Sequence, residues 1–227
     1  MPLEKRPFVF ASVAMSLDGF IDDGDATRLV LSNPQDLKAR DELRSKCDAI
    51  LVGANTVRRD NPSLLIDSEE LREKRKTLGL SPDLVKITMT RSGNLDPRSK
   101  FFQSENTQKL VYCPQSIAAA LQRKLAAHAE IIGLEELTPT QLLRDVASRN
   151  IRTLMVEGGQ SIHTAFLKEN AVDELRVAVA PFFVGEDSAP RFVAAAQFSF
   201  NKHNHLQLLG VEQLGDVAVL RYGLRPK

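Results

Sequence analysis

The stretch TLMVEGGQSIHTAFL, residues 153–167, contains the sharpest change of pattern in the chain. Apolar residues typical of a buried strand run up to Glu157, two glycines follow, and an amphipathic segment begins after Ser161. A helix that starts at such a corner presents free N–H groups and the positive end of its dipole. Glycine also lets an anion approach the backbone without meeting a Cβ atom. The pattern therefore predicts a phosphate-binding corner or, alternatively, a plain turn in which the glycines only satisfy φ.

Glu157 favours the functional interpretation of this corner. A carboxylate at the carboxyl end of a central strand is costly to desolvate unless it has a partner. The crevice beyond the carboxyl ends of parallel strands is also where open α/β sheets bind their ligands. We therefore expect Glu157 to face a ligand rather than the solvent alone.

Two further segments repeat the order of strand, glycine and polar residues. In AILVGANTVRRDNP, residues 49–62, a strand runs into Gly53 and a short helix that the proline at the end should stop. In VKITMTRSG, residues 85–93, a strand leads to a guanidinium and a hydroxyl that can hold a phosphate, although a plain surface turn is the alternative. Neither segment is a GxGxxG or GxxxxGK[ST] motif, so the usual Rossmann and P-loop interpretations fail.

The rest of the chain alternates short apolar runs with helix-like segments, which favours a parallel sheet with both faces covered by helices. The predicted strands are 8–14, 49–52, 85–90, 109–113, 130–132 and 153–156, and the predicted helices are 34–46, 54–59, 115–127, 140–148 and 162–169. Three later strands follow without helices between them, at 175–180, 206–213 and 217–224, and Gly215-Asp216 is typical of a hairpin turn. We predict one α/β domain over residues 1–227, with a mixed sheet that is parallel first and antiparallel at its C-terminal edge.

Three segments interrupt this alternation. Residues 18–28 and 182–192 are predicted to be loops, and the charged stretch 67–83 is predicted to be a solvated surface helix rather than a binding patch. His163 is interpreted as a partly exposed residue in the first turn of its helix. HAE at 128–130 mimics a zinc deaminase motif, but no PCxxC follows it. No metal site is therefore predicted.

The composition narrows the class of protein. The 30 basic and 29 acidic residues leave a net charge of +1, which gives no electrostatic reason to expect nucleic acid or an anionic membrane. No run approaches the ~20 apolar residues that span a bilayer, and no secretory signal is recognised. Cys47 and Cys113 lie outside any CxxC pair, so a reduced, cytoplasmic chain is expected.

The three corners, taken in this order, resemble the reductase of riboflavin biosynthesis, which exists alone and as the C-terminal half of a bifunctional deaminase–reductase. The resemblance runs from about Pro7 to the C-terminus. It is carried by VAMSLDGFI (13–21), LRSKCDAILVGANTVRRDNPSL (43–64), ITMTRSGNLDP (87–97), LMVEGGQSIHTAFL (154–167) and VDELRVAVAPFFVG (172–185). It implies a dihydrofolate-reductase-like fold, NADPH as the cofactor and a homodimer.

The resemblance also implies a role for individual residues. The glycine corner would hold the cofactor pyrophosphate, and the turn after the third strand would lie near the adenosine 2′-phosphate. The implied cofactor-binding residues are Gly53, Thr56, Asp60, Thr90, Arg91, Ser92, Gly158, Gly159, Gln160 and Ser161. The implied substrate-binding residues are Ser16, Asp18, Asn61 and Glu157, and the implied catalytic residues are Glu157 and Asp60.

Two positions depart from the family pattern. Asn61 stands where many members have a second aspartate, and Asp67 stands where many carry a basic residue suited to a sugar phosphate. The sequence does not decide which other cation would take that role. The candidates are Lys38, Arg40, Arg44, Arg58 and Arg191.

The implied reaction is hydride transfer from NADPH to C1′ of a ribosylamino-pyrimidine 5′-phosphate, which gives the ribityl form. One alternative is an NADPH-dependent reductase of a pterin or another heterocycle. A second alternative is a dinucleotide-binding module without turnover, against which the intact Glu157 and Asp60 argue. Oxidation of NADPH with each substrate would distinguish these alternatives.

Overall fold

The computed structural model describes residues 6–25, 27–104 and 107–224. These residues form two compact units that alternate along the sequence. Unit 1 contains residues 6–7 and 41–155, and unit 2 contains residues 8–40 and 156–224. The assignment of residues 1–227 to a single domain stays a prediction.

Nine strands and seven helices lie within the described ranges. The strands are β1 (Phe8–Met15), β2 (Ala49–Gly53), β3 (Val85–Met89), β4 (Lys109–Pro114), β5 (Glu130–Leu134), β6 (Thr153–Gly158), β7 (Glu174–Val179), β8 (Gln207–Leu214) and β9 (Val217–Gly223). The helices are α1 (Pro34–Arg44), α2 (Ala54–Asp60), α3 (Glu69–Thr77), α4 (Lys100–Gln103), α5 (Gln115–Leu125), α6 (Pro139–Ser148) and α7 (Gln160–Lys168). Every predicted strand and helix is present, and only the four-residue α4 was not predicted.

The strands of unit 1 are built for burial. They lie in the order β5, β4, β3, β2, followed by the first half of β6, and the pairs β2–β3, β3–β4 and β4–β5 are parallel. β2 is buried at every residue, as expected of a strand with both faces covered. The parallel register pairs Gly53 with Met89, so β2 and β3 end at the same edge of the sheet. The turns that follow these two strands therefore start side by side.

The strands of unit 2 change direction towards the C-terminus. The second half of β6 lies next to β1, β1 pairs with β7 in parallel, and β9 pairs antiparallel with both β7 and β8. The hairpin between β8 and β9 closes through Gly215, whose φ is +64°, as the sequence predicted. The α/β fold with a mixed sheet, parallel first and antiparallel at its C-terminal edge, is therefore confirmed.

Within the charged stretch 67–83, residues 69–77 form the surface helix α3, in which Arg75 is the one buried residue. Ser68 caps α3 by accepting a hydrogen bond from Leu71 N. Arg75, however, is 3% exposed and donates hydrogen bonds to the carbonyl oxygens of Ser45, Cys47 and Ser81. The prediction of a solvated helix is therefore wrong for Arg75, which ties the end of α3 to the chain before β2.

Two neighbouring strands of unit 1 carry buried lysines. Lys86 and Lys109 lie opposite each other in the β3–β4 pair. Lys86 is fully buried and its Nζ donates to the Ser104 hydroxyl at 2.6 Å. Desolvation by burial, with a smaller contribution from the charge of Lys109, lowers the pKa of Lys86 to about 8.

No helix in the described part of the chain is long and apolar enough to cross a membrane.

Candidate active site

The corner between β6 and α7 has the geometry that its sequence predicts. β6 ends at Gly158, whose φ is +91°, and α7 begins after Gly159 with no side chain capping it. Ser161 is exposed in the first turn of the helix and makes no cap. Nine residues of helix thus direct the positive end of their dipole at a turn that lacks side chains. Such a corner suits an anion.

His163 lies against the inner side of this corner. A Cβ atom at position 158 would stand 2.3 Å from His163 Nε2, so the space belongs to the imidazole and only glycine fits. His163 is 1% exposed, its Nδ1 has no hydrogen-bond partner among the residues that the structure describes, and its ring packs edge to face on Phe192 at 5.1 Å. Burial lowers the pKa of His163 to about 4, although the charge of Glu157 opposes the shift. The prediction of a partly exposed His163 is therefore wrong.

Ser16 and Asp18 bind two loops together. The Ser16 hydroxyl donates to the Asp18 carboxylate and accepts from Phe20 N. The same carboxylate accepts hydrogen bonds from Val184 N at 3.1 Å and Gly185 N at 2.8 Å. Burial raises the pKa of Asp18, but the hydrogen bonds from Ser16 and the two amides outweigh it and hold the pKa below its usual value. Both side chains are thus occupied within the protein, and their contact with a substrate stays a prediction.

Backbone contacts continue the pairing of these two loops, residues 16–21 and 182–192, which we call the paired loops. Leu17 N donates to Phe182 O, Ile21 N to Pro190 O and Phe192 N to Gly19 O. Phe192 also packs on His163, so the paired loops reach the β6–α7 corner. Within unit 2 the structure therefore brings together the predicted glycine corner and the predicted substrate loop.

In unit 1, the corner after β2 also forms as predicted. α2 starts after Gly53 without a side-chain cap and ends at Asp60, and Thr56 and Asp60 are half-buried. Asn61 adopts the left-handed conformation with φ 44°, and its side-chain oxygen accepts a hydrogen bond from Lys100 N at 2.7 Å. The carboxamide of Asn61 is therefore held by α4.

The corner after β3 is closed by its own threonine. Thr90 is 2% exposed, and its hydroxyl accepts a hydrogen bond from Gly93 N at 3.0 Å. The turn leaves Arg91 and Ser92 exposed. Arg91 makes no hydrogen bond or ion pair with another described residue, so its guanidinium is open to a ligand.

A groove of about 240 Å³ in unit 1 reaches Asn61, a predicted substrate-binding residue, and Arg58, a candidate for the substrate phosphate. It is lined by Val57, Arg58, Asn61, Asp96, Arg98 and Ser99. The Ser99 hydroxyl is buried there without a hydrogen-bond partner among the described residues. The sequence pattern contained no signal for this groove, because its walls come from two segments that are distant in sequence, the end of α2 and the turn before α4.

The sequence missed His163 and Phe192 as parts of the site. His163 lies within the stretch LMVEGGQSIHTAFL, but the pattern assigned it no role, and the only trace of that role is the glycine that His163 requires at position 158. The ligand roles of all the predicted site residues stay predictions.

Comparison with known proteins gives matches over nearly the whole chain. The family model described as the RibD C-terminal domain matches residues 7–220. The chain is 34% identical over 187 residues to the 2,5-diamino-6-ribosylamino-4(3H)-pyrimidinone 5′-phosphate reductase of Archaeoglobus fulgidus, which covers 82% of this chain and 85% of that protein.

Solved structures agree on the fold. A RibD structure from Acinetobacter baumannii superposes with a TM-score of 0.77 at 23% identity, over 97% of this chain and 58% of that one. The dihydrofolate reductase of Enterococcus faecalis, complexed with NADP(H), superposes with a TM-score of 0.52 at 12% identity, over 95% of each chain. The dihydrofolate-reductase-like fold is therefore confirmed, and the match spans a little over half of the longer RibD chain.

Proposed function

The chain belongs to the RibD C-terminal domain family, and from that premise we propose that it is an NADPH-dependent reductase of riboflavin biosynthesis. Its substrate is a ribosylamino-pyrimidine 5′-phosphate, and its product is the ribityl form. One observation carries the proposal, namely 34% identity to a reductase named for this substrate class across 82% of the chain. The fold alone would not distinguish this substrate from a pterin.

The reaction needs a hydride donor, and NADPH when bound supplies that hydride. The substrate's sugar opens to an imine, its C1′ gains the hydride, and its nitrogen gains a proton. The protein's part is to hold the reacting carbon in place, exclude water and deliver the proton.

The β6–α7 corner supports pyrophosphate binding by Gly158, Gly159, Gln160 and Ser161. Gly158 has no side chain and could carry none, because His163 occupies the space behind it. α7 begins without a side-chain cap, which suits a bound anion at its N-terminus.

The turn after β3 supports a preference for NADPH over NADH. Thr90 closes this turn, and Arg91 and the next residue, Ser92, are both exposed. An unpaired guanidinium is suited to a 2′-phosphate because it offers several N–H donors and a full positive charge. Gly53 and Thr56, at the corner after β2, complete the proposed cofactor-binding set.

Glu157 and Asp60 are the proposed catalytic residues. Glu157 is half-buried and directly precedes the proposed pyrophosphate turn, and Asp60 is half-buried at the end of α2. Each carboxylate would hold a proton or a substrate amine. Ser16, Asp18 and Asn61 are proposed to shape the substrate side, chiefly through the loops that their side chains hold.

A pterin reductase is the second candidate function. Asp67 favours it, since an acidic residue stands where a sugar phosphate would need a base. The test is oxidation of NADPH by the purified protein, first with the ribosylamino-pyrimidine 5′-phosphate and then with dihydrofolate. Turnover of the first substrate alone is expected, and turnover of dihydrofolate alone would contradict the proposed pathway.

A further inference from the structure

Arg191 is an exposed cation that the paired loops hold in a fixed position. Its Nη1 donates a hydrogen bond to Asp18 O at 2.9 Å, and its Cζ lies 4.2 Å from the centroid of the Phe20 ring. A carbonyl and an aromatic ring orient the guanidinium without neutralising its charge. Among the described residues, no carboxylate forms an ion pair with Arg191.

The carboxylate of Asp18 is already occupied by other hydrogen bonds. Asp18 accepts its hydrogen bonds from Ser16 Oγ, Val184 N and Gly185 N, whereas Arg191 contacts only the backbone carbonyl of Asp18. A guanidinium has five N–H donors, and one hydrogen bond to the protein leaves most of them for a ligand. The charge and the donors of Arg191 are therefore both available.

The position of Arg191 relates it to the proposed reaction site within unit 2. The next residue, Phe192, packs on His163, and His163 fills the space against Gly158. A second link lies two residues further on, where Ala194 N donates to Thr164 Oγ1 of α7 at 2.9 Å. The segment that carries Arg191 is thus fastened both to the substrate loop and to the glycine corner.

We propose that Arg191 binds the 5′-phosphate of the substrate, an inference that rests on the function proposed above. Arg191 would supply the positive charge for the phosphate that Asp67 at position 67 does not provide. The other arginine candidates fit less well: Arg44 is 6% exposed and donates to Leu65 O, and the Arg58 guanidinium donates to Asn94 O and to the Asn55 side chain. Lys38 and Arg40 lie on α1, outside the paired loops.

The test compares a substrate with and without its phosphate. Arg191→Gln should raise KM for the ribosylamino-pyrimidine 5′-phosphate on the order of tenfold or more, since it removes a charge-assisted contact. With the corresponding nucleoside, which lacks the phosphate, the variant and the wild type should have equal kcat/KM. Arg191→Lys should recover part of the loss, and Arg123→Gln, which alters an exposed arginine on α5, should change neither substrate's KM.

A loosened loop would give a different result, because it would weaken both substrates equally and so overturn the proposal. Titration calorimetry with ribose 5-phosphate and with ribose provides a readout independent of turnover. Weaker binding of ribose 5-phosphate to Arg191→Gln than to the wild type is expected, with ribose unaffected. Equal affinities would overturn the role of Arg191 even if the wild type reduces the pyrimidine. Retained ribose 5-phosphate selectivity without any reduction would instead refute the proposed function.

Discussion

Glycine at position 158 and histidine at position 163 depend on each other. The imidazole occupies the place of a Cβ atom at position 158. The glycine leaves room for a buried ring whose Nδ1 has no hydrogen-bond partner in the described part of the chain. A buried polar atom without a partner costs stability, so a purely structural explanation would favour an apolar side chain there. The pair instead holds the turn between Glu157 and α7 in one shape.

His163 should make the free energy of unfolding depend on pH. Because the folded-state pKa of His163 is lowered to about 4, the unfolded chain binds a proton first as the pH falls below ~6.5. The free energy of unfolding should therefore decrease between about pH 6.5 and pH 4, by up to roughly 3 kcal/mol from this group. Denaturant unfolding of the wild type and of His163→Leu measures the difference.

His163→Leu should lack this part of the acid dependence. The matched control is His128→Leu, which removes an exposed histidine and should keep it. Parallel stability curves for the wild type and His163→Leu across this range would show that burial does not hold the imidazole neutral.

Glu157→Gln keeps the shape of the side chain and removes its charge. If the carboxylate handles a proton or a substrate amine, kcat/KM should fall by ~10²-fold. The Kd for NADPH should stay within roughly threefold, because the proposed contacts of the cofactor's phosphates are with the backbone of the corner. Steady-state kinetics and fluorescence titration separate the two quantities, and normal turnover of the variant would make Glu157 a structural residue.

Arg91→Ala tests the choice of cofactor. Removing a charge-assisted contact of roughly 1.5–3 kcal/mol should raise the Kd for NADPH on the order of tenfold or more and leave NADH binding nearly unchanged. Arg152→Ala, at another exposed arginine of unit 1, is the control and should affect neither cofactor. Equal losses for NADPH and NADH would mean that Arg91 does not contact the 2′-phosphate.

Among the elements, the β3–β4 pair contains the two buried lysines, Lys86 and Lys109, in strands that the sequence predicts to be covered on both faces. Lys86 is held by Ser104 and by the carbonyl of Phe101, and Lys109 by the carbonyls of Ser104 and Thr107. These acceptors lie in α4 and in the segment after it, so the two lysines connect this part of the chain to the sheet. The connection costs the desolvation of both charges.

The contribution of Lys86 to the free energy of unfolding should become more favourable as the pH rises. A lysine in a salt bridge would show the opposite trend. Lys86 has a folded-state pKa lowered to about 8, whereas the unfolded chain keeps the proton until ~10.4. The unfolded state thus binds more protons between these values, and the free energy of unfolding of the wild type should rise relative to Lys86→Met as the pH increases from 8 to 10. Urea unfolding at several pH values measures this difference.

Lys124→Met, at an exposed lysine of α5, is the control and should show no such divergence from the wild type. A constant gap between the wild type and Lys86→Met would indicate that Lys86 keeps its proton in the folded state.

Elements were predictable where the residues themselves carried the pattern. Apolar runs such as AILV at 49–52 specify a covered strand, and the glycines and prolines after them specify where it ends. α4 was missed because four residues are too few to show a helical period. The burial of Arg75, Lys86 and His163 was missed for another reason. Each has a partner that is distant in sequence, namely Cys47, Ser104 and Phe192, so no local pattern records the contact.

For the molecule as a whole, the exposed apolar side chains on the edge strand β8 indicate self-association. β8 is the last strand in the order, and Leu208, Leu209 and Val211 are 53%, 45% and 65% exposed. An apolar edge strand of this kind needs a cover. We predict a homodimer, with a mass near twice the 25.2 kDa of the chain in light scattering.

Val211→Asp should shift this mass towards the monomer, because it places a charge on the exposed apolar strand. Gln207→Asp, which adds the same charge at an exposed polar position of β8, should leave the dimer intact. A monomeric wild type at micromolar concentration would contradict the prediction.

The pairing of β1 with β7 has a consequence for co-translational folding. β1 is complete once Met15 has been added, but its partner strand β7 is complete only at Val179. The loop after β1 likewise cannot form its hydrogen bonds until residues 182–192 have been made. At about 5–20 residues per second, translation leaves the apolar strand β1 without its β7 neighbour for on the order of 10–30 s. Unit 1 can meanwhile acquire most of its strands, so the first segment to be made in unit 2 is among the last to be folded. A nascent chain arrested before residue 174 should accordingly need a chaperone to shield FVFASVAM.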